Sequence, residues 1–353
     1  MTEPKTRNRR LFPQALDIVH GRVDMTHGGG GRAMAQLVSE LFASAFDNEY
    51  LAQGNDMAVM PASNGRIVMS TDGYVVSPIF FPGGDIGSLA VHGTINDVAM
   101  GGARPLYLSA GFILEEGFPL ADLQRVVHSM AAAARDAGVP IVTGDTKVVE
   151  RGKADAIFIV TSGVGVLQDG MQIGGDNIRE GDAVIVSGSI GDHGIAILSK
   201  RENLDFETTI ESDSAPLHRL IAAMIAAEPE IHCLRDPTRG GLAATLNELA
   251  NQAGIGMVIE EDALPIKPAV RGACELLGID PLAVANEGKL LAFCPRDKAD
   301  ALVAVMRQQP FGGDAAVIGH VQPDPRRLVR LRTSFGSERV VEWLNGEQLP
   351  RIC

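Results

Sequence analysis

The sequence predicts a two-domain α/β (α+β) protein, and three observations carry that prediction. Apolar, strand-like runs alternate with amphipathic helical stretches through both halves, the pattern of sheets covered by helices. At 353 residues the chain is long enough to bury two cores. Near the middle, LQDGMQIGGDNIREGD is rich in Gly and Asp and reads as a connection between halves. Residues 1–14 are then a disordered leader, 15–167 a first domain, 168–180 the connection, 181–333 a second α/β domain and 334–353 a mobile tail. No internal repeat relates the halves.

Composition narrows the function classes. A net charge of −13 argues against a nucleic-acid surface, whose affinity rests on Lys and Arg. The four cysteines, Cys233, Cys274, Cys294 and Cys353, show neither CxxC nor zinc spacing, which suits a reducing compartment. No apolar run is long enough to span a bilayer. The leader MTEPKTRNRR is basic but polar, with Glu3 and Pro4 and no apolar stretch behind it, so it does not read as a secretory signal. A cytoplasmic protein with no nucleic-acid or membrane partner is expected.

In chain order, the first marked stretch is HGGGGRAM. Gly28, Gly29, Gly30 and Gly31 precede a helical pattern, RAMAQLVSELFASAF, and read either as an anion-binding nest or as a hinge. No GxxxxGK[ST] exists, so a P-loop is excluded. Carboxylates offer another device. Asp56 opens DMAVMP, and RIVMSTDGYVV carries Asp72 and Gly73 inside a strand where alternation predicts neither. The helix within PGGDIGSLAVHGTINDVAMGGARP places Asn96 and Asp97 near its end, and VPIVTGDTKVVE ends a β-branched strand in Gly144, Asp145, Thr146 and Lys147. Such a set suits Mg²⁺, which takes one or two carboxylates with phosphate oxygens and water; each Asp alone also reads as a turn or cap.

PLADLQRVVHSMAAAARDAG is an amphipathic helix closed by Gly138, and AIFIVTSGVGV a fully apolar strand. AVIVSGSIGDHGIAILSK gives strand, glycine turn and helix, with His193 read as a turn residue at the helix start. In RDPTRGGLAATLNELANQAG, Asp236 and Thr238 precede a helix whose N-terminus favours anions, and Arg235 and Arg239 add phosphate donors. Helix, strand, helix and strand follow in KPAVRGACELLG, LLAFCP, RDKADALVAVMRQQ and AAVIGHV. RLVRLRTSFGSERVVEW reads as a hairpin, after which LNGEQLPRIC runs without periodicity to Cys353. Ten extended residues span roughly 30 Å, enough to carry this thiol into a cleft. It reads either as a substrate handle or as a frayed end.

Taken together, TDGYVVSP, NDVAMGGARP, GDTKVVE, RDPTRGGL and ACELLGIDPLAVANEGKLLAF, with PRIC at the end, resemble the HypE family of [NiFe]-hydrogenase-maturation carbamoyl dehydratases. That family lies within the aminoimidazole ribonucleotide synthetase and selenophosphate synthetase superfamily. The resemblance spans about residues 15–353 and implies an N-terminal sheet that closes into a barrel across a homodimer. It implies Mg²⁺-ATP held with Asp56, Asp72, Asp97, Asp145 and Asp236, and Cys353 flanked by Lys147 and Glu287. It also implies dehydration of a carbamoyl group on Cys353 to a thiocyanate, with a HypF carbamoyltransferase as donor and a HypC–HypD iron scaffold as cyanide acceptor. One departure is Asn55 before Asp56, where relatives often carry a second acidic residue. Two other readings remain: a superfamily enzyme acting on a small molecule, such as a selenophosphate synthetase, and a non-catalytic nucleotide-binding adaptor.

Overall fold

The computed structural model describes residues 12, 14–55, 57–167, 170–204, 210–228, 230–343 and 351–353. Most of the leader, Asp56, part of the connection and positions 344–350 of the tail lie outside them.

Two sheets organise the chain. The first has strands β1 (Arg66–Tyr74), β2 (Arg104–Glu115), β3 (Ile141–Val149) and β4 (Ile157–Leu167), in the order β1-β4-β2-β3. Only β2 and β3 are parallel, and the crossover between them is the helix Leu120–Ala137. That helix (α2) and α1 (Ile86–Met100) cover one face, where Leu89, Leu108, Leu123 and Met130 form a core. The other face carries Ile67 and Met69, 75% and 66% exposed, with Val160 and Ile113 beside them. Alternation along β1 places Ser70 and Asp72 on the covered side instead.

The second sheet has strands β5 (Ala183–Val186), β6 (Cys233–Arg235), β7 (Gly256–Glu260), β8 (Leu291–Cys294), β9 (Ala316–Gln322), β10 (Val329–Arg332) and β11 (Glu338–Val340). Their order is β11-β10-β7-β9-β5-β8-β6, antiparallel except for β10 beside β7. Both faces are covered. Leu242, Leu246 and Leu249 of the helix Gly241–Ala253 pack on one, and Leu220, Met224, Leu302 and Met306 of the helices His218–Ala227 and Ala299–Arg307 on the other. Among the described residues, no helix is long and apolar enough to cross a membrane.

Three sequence expectations need correction. The helix expected after the four glycines is Arg32–Leu37, then a π-helical stretch Val38–Phe42, then Ala43–Ala45. Gly144–Lys147 do not end a strand, because β3 stays in register with β2 through Val149. The segment assigned to a tail from 334 first forms the hairpin of β10 and β11, with Arg330 opposite Val340, and Val341 is buried.

Candidate active site

The site is built outward from β1. At Gly93 of α1 a Cβ would lie 2.4 Å from the Tyr74 hydroxyl, so only glycine lets helix and strand approach this closely. Thr94 then bonds Tyr74 at 3.1 Å and Thr161 at 2.6 Å. One turn further, Asp97 accepts a 2.8 Å bond from Ser70, two residues before Asp72 on the same strand face. The second half contributes the loop after β6, with Arg235, Asp236, Thr238 and Arg239. These residues and Thr245 of the helix Gly241–Ala253 close a cleft of about 510 Å³ over Asp72 and Asp97.

Charge in this cleft is unbalanced. Burial and then the neighbouring Asp97 push the Asp236 carboxyl up to about 7. Burial raises Asp97 too, against the Ser70 bond, with Asp72 adding repulsion. Glu287 is buried in the loop before β8, and burial followed by Asp236, Asp213, Asp72 and Asp97 drives it far above the usual carboxylate range. Its Oε1 has no hydrogen-bond partner among the described residues.

The tail ends against this group. Beyond β1, the Val75 amide donates to the main-chain oxygen of Cys353 at 3.2 Å and the Ser77 amide to the Arg351 carbonyl at 3.1 Å. Arg201 donates to the Ser77 carbonyl at 2.8 Å and to the Arg351 carbonyl at 2.7 Å, and Arg351 pairs with Asp155. Ile352 is buried in the first core, and its carbonyl meets His193 Nε2 at 2.8 Å. The Cys353 thiol lies within hydrogen-bonding reach of Glu287. Burial and then that carboxylate raise it, while Arg239 pulls the other way, so the seated sulphur is protonated. The tail is thus laid beside the extension of the strand that carries Asp72.

Not every expected site residue gathers here. Asp145 and Lys147 pair with each other at 2.5 Å on β3, and the Lys147 side chain is 63% exposed. Through Thr161 and Ala110, Asp72 stands level with Gly144, two strands intervening, or about 14 Å at ordinary strand spacing. The bare face of the sheet holds Asp145 and Lys147 beside Gly111 and Ile113. Gly28 packs on the same strand, where an added Cβ would lie 2.9 Å from the Val148 backbone nitrogen. Gly29 and Gly30 follow it in the chain, with the Gly29 amide donating to the Thr26 carbonyl, and Thr146 is buried. Within one chain Lys147 is not among the main charges acting on Cys353.

Asn96 does not face the cleft. It is buried, donates to the Ala215 and Glu287 carbonyls at 3.0 and 3.3 Å, and accepts the Leu217 amide at 2.7 Å. Its amide is used up in holding backbone. His193 is no turn residue but a fully buried contact to the tail. Sequence reasoning missed Ser70 and Asp213. Ser70 was accessible through alternation, two positions from Asp72, whereas nothing around Asp213 marks it.

Among the described residues, no three His, Cys, Asp or Glu side chains converge to hold a metal by themselves. Crowded carboxylates with arginines beside them fit a cation that arrives with phosphates, since Mg²⁺ needs only one or two protein oxygens.

The two halves define an AIR synthase related protein. The N-terminal domain of that family matches residues 54–167 and its C-terminal domain residues 179–331. The chain is 64% identical over 338 residues to carbamoyl dehydratase HypE of Azotobacter vinelandii, covering 96% of this chain and 99% of that one. A solved hydrogenase maturation protein HypE in complex with ATP superposes with a TM-score of 0.89 at 51% identity, covering 93% of this chain and 99% of that one. A HypE–HypF complex gives 0.77 at 50% identity, covering 87% and 99%. The chain belongs to the HypE family of carbamoyl dehydratases.

Proposed function

We propose that this carbamoyl dehydratase acts on its own Cys353, with the cleft over Asp72, Asp97 and Asp236 holding Mg²⁺-ATP. The supporting observation is the thiol seated against a buried, partly unpartnered Glu287, which feels the charges of Asp236, Asp72 and Asp97 from that cleft. An S-carbamoyl group on Cys353, S–C(=O)–NH2, becomes S–C≡N by losing its oxygen and both nitrogen-bound hydrogens. The γ-phosphoryl group of ATP passes to the carbamoyl oxygen, the C–O bond breaks with phosphate leaving, and two protons leave the nitrogen. Bound Mg²⁺ supplies positive charge that offsets carboxylate repulsion and draws charge from the phosphates. Arg235 and Arg239 add donors to phosphate. Glu287, in the ionised form that a cation beside the neighbouring acids would favour, takes a proton from the carbamoyl nitrogen.

The seat disfavours a thiolate, whereas an S-carbamoyl group carries no charge. Loading therefore takes place with the sulphur outside, and the neutral adduct returns. HypF is the carbamoyl donor in this reading, in keeping with the HypE–HypF complex of a relative. A HypC–HypD scaffold receives the cyanide.

The bare face of the first sheet supports a homodimer. Two such sheets joined edge to edge make a closed barrel and cover Ile67, Met69, Val160 and Ile113. Edge joining sets β1 beside the partner's β3, and so brings the strand that carries the partner's Asp145 and the partner's Lys147, with the partner's Gly28 packed on it, up to the edge that carries Asp72. Intact mass of carbamoylated protein before and after Mg²⁺-ATP tests the reaction: the peptide containing Cys353 loses one water. An unchanged mass, or the loss from a different residue, defeats the assignment.

A further inference from the structure

One short segment touches both the histidine that meets the tail and the backbone of Glu287, without lining the cleft. Residues 212–215 run between two glycines, one from each half. A Cβ at Gly83 would lie 2.7 Å from the Ser212 amide nitrogen, and one at Gly288 would lie 1.8 Å from the Asp213 carbonyl oxygen. Neither loop can therefore carry a side chain at its crossing point. The segment's own side chains divide the contacts. Ser212 Oγ lies 2.8 Å from His193 Nδ1, and His193 Nε2 meets the Ile352 carbonyl of the seated tail at 2.8 Å. Asp213 Oδ1 accepts the Glu287 amide at 3.0 Å, while Oδ2 faces the largely buried Lys289 ammonium at 3.3 Å. Ala215 accepts from Asn96, whose amide also holds the Glu287 carbonyl.

The hydrogen positions follow from the partners. A carbonyl only accepts, so Nε2 carries the hydrogen, and in the neutral ring that burial favours Nδ1 accepts from the Ser212 hydroxyl. The tail thus fixes the His193 ring, the ring fixes Ser212, and the next residue holds the amide of Glu287.

We propose that Ser212 and Asp213 are positioning residues for dehydration, coupling the seating of the tail, sensed through His193, to the placement of Glu287. This rests on the reading of Cys353 as the carrier of the carbamoyl group. A segment that merely filled space would leave Glu287 indifferent to the tail. The coupled segment orders Glu287 only when the sulphur has arrived.

Amide hydrogen exchange on the full chain separates the two cases, because it needs no reaction. Deleting residues 351–353 is expected to speed exchange of the Glu287 amide at least about tenfold. His193→Phe does the same with the tail present, and His193→Gln, which keeps an N–H donor, returns exchange to within about threefold of wild type. Single-turnover dehydration falls in step in His193→Phe, while Mg²⁺-ATP affinity holds. Should His193→Phe fail to fold, Ser212→Ala serves: the Val75 and Ser77 amides stay protected while the Glu287 amide opens. A Glu287 amide that stays protected in the tail-less chain and in Ser212→Ala overturns the inference. Coupled exchange in a wild-type chain that leaves carbamoylated Cys353 unchanged would sink the functional reading, and with it any role in dehydration. Uncoupled exchange in a chain that does dehydrate it would sink this inference alone.

Discussion

The two edges of the first sheet differ in what they lack. The β1 edge has acids in excess: Asp72, Asp97, Asp236 and Glu287 crowd together, and burial with mutual repulsion makes Asp97, Asp236 and Glu287 hold their protons tightly. The β3 edge holds a balanced pair, where the Lys147 ammonium keeps Asp145 below its ordinary value, and it lies open to solvent. One edge needs cations and has the substrate sulphur; the other has a cation with nothing of its own chain to act on. In the proposed homodimer, symmetry would bring these two unlike edges together.

The largest effect is expected at the acid-rich edge. Glu287→Gln keeps the size and the backbone bonds of the group but removes its basicity, so single-turnover dehydration of carbamoylated protein falls at least about a hundredfold. Mg²⁺-ATP affinity is unchanged or improved, since one repelling charge is gone. A rate within a few-fold of wild type moves the base elsewhere.

At the opposite edge, Lys147→Ala slows the same step by about tenfold, roughly 1.4 kcal/mol, and Lys147→Arg restores only part of it. Mixing sharpens the comparison. If the edges join across the dimer, unfolding and refolding equal amounts of Asp72→Asn and Lys147→Ala chains, assayed at Mg²⁺-ATP well below saturation, gives roughly three-tenths of wild-type activity against about a tenth for either parent, because half the dimers are mixed and each has one intact site. No recovery above the two parents means that each chain uses its own edges separately.

Asp72→Asn and Asp97→Asn weaken Mg²⁺-ATP binding by about tenfold, read by calorimetry. Without nucleotide, neither lowers the melting temperature, because each removes repulsion. Equal affinity in both variants would make these residues structural.

The smallest effect is a pH slope. Asp236 titrates near 7 when folded against 3.8 as its ordinary value, so the native state binds the extra proton. Stability from this group is fully present below 3.8 and is lost as pH rises through about 7, with Glu287 acting in the same direction. The nucleotide-free protein therefore melts lower at pH 8 than at pH 5, and Asp236→Asn flattens that slope. A slope left unaltered in the variant removes Asp236 as its source.

Much of the acid-rich edge was legible. Asp72 broke the alternation of its strand, Asp97 fell near the end of a periodic helix, and RDPTRGG announced an anion-facing turn. These are local signals, written in neighbouring residues. What stayed hidden depends on registration between distant strands. No run of letters states that Gly144 stands level with Asp72 across two intervening strands, and hence that Asp145 and Lys147 lie at the far edge. The function of Asn96 was misread for a similar reason. Its carbonyl and backbone partners at 215, 217 and 287 are far away in sequence. Ser212 and Asp213 left no trace because their use depends on the spaces at Gly83 and Gly288, which are visible only after folding.

That the sulphur is covalently part of the chain has a kinetic consequence. A tethered group presents itself at an effective concentration of about millimolar or above, whatever its abundance in solution. On the proposed reading, the few backbone bonds at Arg351, Ile352 and Cys353 then suffice to seat the tail between loading events. Such an enzyme has no Michaelis constant for its acyl-like cargo. On that same reading, its turnover is set by how often that one residue is loaded and unloaded.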